Sequence, residues 1–143
     1  MKQFLVLLAV LPLMLIFFVQ FSLDQINSSR IAMLSDLVYS AKEEARQEGC
    51  FTESIKADLR SKISKALGVK ESDIMIEATD TVQYRLISAE GYSDSNWRRG
   101  LIYYKISVPI GEVMAGKSMF GIKDADNSYY YTIENYAASE RLP

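Results

Sequence analysis

From Gln3 to Leu23 no residue carries a charge, and Phe4–Val19 is an unbroken run of apolar type, counting Pro12. A helix rises 1.5 Å per residue, so about 20 apolar residues cross a hydrocarbon layer of about 30 Å. Phe4–Leu23 just meets that length, with Gln20 and Ser22 near its far boundary. Lys2 precedes the run and Asp24 follows it, which favours an inside amino end and an outside carboxy-terminal part. A cleaved leader needs small residues at alternate positions just after the apolar core. Val19-Gln20-Phe21-Ser22-Leu23 does not supply them, and Cys50 is too late to serve as a lipid-attachment site. The expectation is a single-pass cell-membrane protein with a cytoplasmic amino terminus. Residues 1–23 are its retained transmembrane anchor and 24–143 its extracytoplasmic head.

The helix does not stop at the anchor. Between Leu23 and Gly49 there is neither Gly nor Pro. Ile26, Met33, Leu34, Leu37, Val38, Ala41 and Ala45 recur at spacings of three and four, which is one helical face. One long helix over about 3–48 is predicted, about 69 Å by its rise, with Pro12 removing one backbone donor inside it. A second helix starts at Thr52 as N-cap, buries Ile55, Leu59, Ile63, Ala66 and Leu67, and stops at Gly68.

After Val69 the period changes to two. Residues 73–79 put Ile74, Ile76 and Ala78 on one side, and 81–87 do the same with Val82, Tyr84 and Leu86. The short link at 79–81 predicts a hairpin. Residues 88–100 read as an exposed loop, 101–109 as the strongest strand, and 127–138 as the last one. The stretch 110–126, with three glycines, reads as a short helix or an irregular crossing. This order predicts an α+β fold: a long amino-terminal helix with a transmembrane half and an amphipathic outer half, a second amphipathic helix, and a four-stranded, largely antiparallel sheet.

Composition narrows the function classes. The 143 residues have net charge −2 and no basic stripe, so nucleic-acid binding lacks its electrostatic source. There is no histidine and one cysteine, which removes the usual neutral-pH base and the usual zinc ligands. Cys50 reads as a small hydrophobe or, alternatively, as half of a disulfide between chains. Asp124, Asp126 and Ser128 alternate oxygens as calcium loops do, but Tyr129 and Asn135 stand where such a loop has its glycine and its acid. A polar turn is the simpler reading. No carboxylate pair or nucleophile setting points to catalysis, and no cofactor, metal or small-molecule substrate is expected. Tyr103, Tyr104, Tyr129, Tyr130, Tyr131 and Tyr136 fall on two strands and therefore on both sheet faces. Trp97, Tyr103, Tyr130 and Tyr136 are the candidate interaction surface, either cross-strand packing or a subunit contact.

The sequences "LAVLPLMLIFFVQFSLD" at 8–24, "SAKEEARQEG" at 40–49, "ISKALGVKESDIMIEAT" at 63–79 and "NYAASER" at 135–141 together resemble the TadE-like minor pseudopilins of tight-adherence (Flp-type) pilus systems. The resemblance implies a pilin-like fold and a structural subunit of a pilus or secretion-like assembly. Its partners would be the lipid bilayer and other pilin-like or assembly-platform subunits. Phe4, Leu8, Pro12, Leu15, Phe18 and Gln20 would then form the membrane and assembly helix. Ile26, Leu34, Leu37, Val38, Ala41, Ile55, Leu59 and Ile63 would join helix to head. A tethered accessory or sensor domain that enters no filament is the alternative. Pilin-like chains usually carry a glutamate just inside the apolar segment, and none lies between Gln3 and Leu23. Association would rest on shape and on weak polar contacts such as Gln20, as suits a low-copy or initiating subunit.

Overall fold

The computed structural model describes residues 1–86, 99–115 and 117–143, with only the backbone at 119, 120, 124 and 125. Helix α1 runs Lys2–Glu48 and α2 runs Glu53–Leu67. Strands β1 (Met75–Ala78), β2 (Leu101–Ile110) and β3 (Tyr129–Ala138) follow. Short 3-10 turns at Glu71–Asp73, Lys117–Phe120 and Asp124–Asn127 fill the connections. The chain forms two compact units, 1–32 with 109–130 and 33–108 with 131–143.

Helix α1 is long because nothing in the sequence stops it before Gly49. It continues through Pro12, whose ring removes one backbone donor. At 1.5 Å per residue its 47 residues extend about 70 Å. Gly49 ends it with φ +84°, in the left-handed region. α2 begins where expected: the Thr52 hydroxyl accepts from Ile55 N at 3.3 Å, and Glu53 sits in the first turn. It ends at Gly68, φ +67°, with Ser64 Oγ donating to Val69 O at 2.7 Å.

The unit 33–108 with 131–143 holds the larger core. Leu34, Val38, Ala41 and Ala45 of α1 join Ile55, Leu59, Ile63 and Leu67 of α2 against the inner face of the sheet. That face is Ile74, Ile76 and Ala78, then Ile102, Tyr104, Ile106 and Val108, then Tyr131, Ile133 and Ala137. Every second residue of β2 is buried, as a half-covered strand requires. Phe51 is wholly buried, its ring 5.6 Å from that of Tyr104. Cys50 is 5% exposed beside it, so it serves as a small core residue.

Four expectations need correction. Among the described residues the sheet has three antiparallel strands in the order β1-β2-β3, with β2 central. β1 does not form a hairpin with 81–87. It pairs with β2, Met75 opposite Ser107 and Ala78 opposite Tyr104. Residues 82–86 carry no strand, and their backbone bonds elsewhere: Gln83 N to Gly49 O at 2.8 Å and Arg85 N to Arg141 O at 2.7 Å. Val82 and Tyr84 are exposed. The alternation in 82–86 therefore does not mark a covered strand face, and β2 offers β1 a longer buried face to continue. Ile26, expected among the helix–head contacts, is 49% exposed, as is Met33. The two are seven residues apart on a line beside the buried one. Ala66 is exposed as well, one position off the buried line of α2. Leu37 is partly buried and packs on the core margin.

Candidate functional site

The first candidate surface is the amino-terminal half of α1. Fourteen large apolar side chains from Phe4 to Phe21 are exposed, Phe17 at 72%. Phe4, Leu8, Pro12, Leu15 and Phe18 all belong to this bare stretch. Covering a side chain of this kind is worth about 1.5–3 kcal/mol, so fourteen amount to roughly 20–40 kcal/mol. A domain's whole net stability is about 5–15 kcal/mol. Contiguous apolar surface of this extent is rare on a water-facing fold. The helix is long and apolar enough to cross a membrane.

Gln20 lies near the end of the bare stretch, and its bonding partners were invisible in the sequence. In the unit formed by 1–32 and 109–130, its amide donates to Val113 O at 2.8 Å and accepts from Ala115 N at 2.9 Å. It also donates to Asp24 at 3.1 Å. Two turns further along, Asn27 Nδ2 donates to Glu112 O at 2.9 Å. Asn127 completes the arrangement. Its side chain accepts from Met114 N at 2.8 Å and donates to Met114 O at 3.0 Å, while its own carbonyl accepts from Val113 N at 3.1 Å. Asn27, Ala115 and Asn127 are buried. The result is a strap, residues 111–115, tied by amides to α1. Gln20 was legible as a polar residue at the boundary of the apolar run, whereas Asn27 drew no expectation. The partners of the two, 93 and 85 positions away, were not legible.

The third surface is the outer face of the sheet. The rings of Tyr103 and Tyr136 pack at a tilt of 51°, centroids 5.2 Å apart, and the Tyr103 hydroxyl donates to Glu134 at 3.0 Å. Desolvation, and then the Glu134 carboxylate, push the Tyr103 phenol above its ordinary value. Ser107 and Thr132 hydroxyls meet at 2.8 Å further along the same pair of strands. A concavity of about 560 Å³ opens there, lined by Thr79, Gln83, Arg99, Leu101, Tyr103, Glu134 and Tyr136. The structure therefore brings Tyr103 and Tyr136 together, and Tyr130 is exposed on β3. Trp97 lies outside the described residues.

At the end of α1, Arg46 gathers charge. It bonds Glu43 at 3.0 Å, Glu140, and the Ala138 carbonyl at 3.1 Å. Lys42, with help from Arg46, holds the Glu43 carboxyl below its ordinary value, and Glu43 in turn raises Arg46. Arg141 donates to Glu48 O at 2.8 Å, closing the tail onto an otherwise unsatisfied helix carbonyl. This is a structural clamp.

Among the described residues no cluster of three His, Cys, Asp or Glu is placed to hold a metal ion. Of the residues weighed as a calcium loop, Asp126 is exposed on the 3-10 turn Asp124–Asn127, and the Asp124 side chain lies outside the description. Compared with protein-family models, curated proteins and solved structures, the chain matches none.

Proposed function

We propose that this chain is a membrane-anchored, extracytoplasmic structural subunit, like a minor pseudopilin, of a pilus or secretion-like assembly. The observation that supports this most is the division of labour along α1. One half leaves an apolar surface bare, and the other half is built into an α+β core. On this reading residues 4–23 lie in the bilayer or among neighbouring subunit helices, and the head presents its outer sheet face to other subunits. The chain works by packing, with no catalysis and no cofactor.

A tethered accessory or binding domain is the second reading, and the concavity beside Tyr103 and Tyr136 favours it. Single cysteines placed from Phe4 to Phe18 in native membranes separate the two, with Cys50 replaced to leave one thiol. A subunit of an assembly gives cross-links that recur at helical spacing between repeated neighbours. Uniform, concentration-dependent cross-linking along the segment would sink the assembly reading and leave the tether.

A further inference from the structure

We infer that the strap 111–115 is a second membrane contact, seated among the lipid headgroups, with Gln20 fixing its depth. The inference rests on the anchor reading of α1 and goes beyond it, because it puts a segment near the carboxy end of the sequence on the bilayer surface.

Depth follows from helix length. Lys2 and Gln20 are separated by about 27 Å of helix, against a hydrocarbon thickness of about 30 Å. With Lys2 at the inner boundary, Gln20 stands at the outer one, and tilt only sinks it further. Whatever is hydrogen-bonded to Gln20 lies at the same depth. Its partners are Val113 O and Ala115 N.

The strap is chemically prepared for that position. A loop facing water leaves its peptide groups to the solvent. Here all six backbone polar groups from Glu112 O through Ala115 N are bonded within the protein. Gln20, Asn27 and Asn127 supply the partners. An unpaired peptide group is expensive only where water is scarce, so this degree of satisfaction fits a dehydrated setting. Gln20 gains equally, since its amide would be costly at the hydrocarbon boundary without these bonds. Val113 is 39% exposed, which gives the strap an apolar side chain to set against the lipid.

The test uses the full chain, with Cys50 replaced, in vesicles of phosphatidylcholine and phosphatidylglycerol. A nitroxide is attached at Val113→Cys, at Leu11→Cys or at Lys70→Cys, and collisions with oxygen and with a water-soluble nickel complex are compared. Position 113 is expected to meet nickel several-fold less often than position 70, at a depth between 70 and 11. Gln20→Leu is expected to return position 113 to the accessibility of 70 while 11 stays deep. A label at 113 as accessible as at 70 in the parent, with 11 deep, overturns the inference and leaves the anchor intact. Shielding at 113 that survives Gln20→Leu overturns the role given to Gln20. A label at 11 as accessible as at 70 overturns the anchor reading itself.

Discussion

Single residues carry several of the constraints. Gly49 is at φ +84°, and a Cβ there would stand 2.6 Å from the Gln83 carbonyl oxygen. That carbonyl belongs to backbone pinned by Ser139 Oγ at 2.6 Å, so it cannot give way cheaply. Gly49→Ala is therefore expected to destabilise the head by about 1–3 kcal/mol, read as a lower urea midpoint. Glu43 gives a pH signature. Its carboxyl is held low by Lys42 and Arg46, so its contribution is present above the ordinary glutamate range. That contribution is lost as pH falls through the lowered folded-state value. Glu43→Gln should abolish this acid-side part of the pH–stability profile and leave the alkaline side unchanged. Gln20 marks where sequence reading reached its limit at this scale. Its position at the end of the apolar run was plain, whereas its bonds to Val113 and Ala115 depend on chain brought in from far along the sequence.

At the scale of elements, periodicity was a good guide to faces and a poor one to partners. The long helix, its stop at Gly49, the Thr52 cap and the Gly68 stop all follow from local chemistry, and all are present. The buried line of α1 was legible at Leu34, Val38, Ala41 and Ala45, but Ile26 and Met33 were drawn in because the apolar stripe is wider than the contact. Strand pairing is different, since alternation in 81–87 says nothing about which backbone lies alongside. β1 reaches across the intervening chain to β2, and no local signal specifies that. The contrast within α1 is measurable. Leu34→Ala, at a fully buried position, is expected to cost about 2–5 kcal/mol. Ile26→Ala, at an exposed one, should stay within about 0.5 kcal/mol. Equal losses in denaturant titrations of the two variants would mean that the head packs around a different line of the helix.

At the scale of the whole molecule, the account rests on an apolar half-helix that remains joined to a folded body. No carboxylate lies between Gln3 and Leu23, and Leu13–Val19 contains no small residue, so close helix–helix approach in lipid has little to drive it. A low-copy or initiating subunit is expected, and counting copies per isolated filament by quantitative mass spectrometry should give far fewer than the major filament protein. The prior question is whether the apolar half is present in the working protein at all. Intact-mass measurement of the protein extracted from its native membrane answers it most directly. The account predicts a chain that still contains residues 4–23; a chain beginning near residue 23 would contradict it.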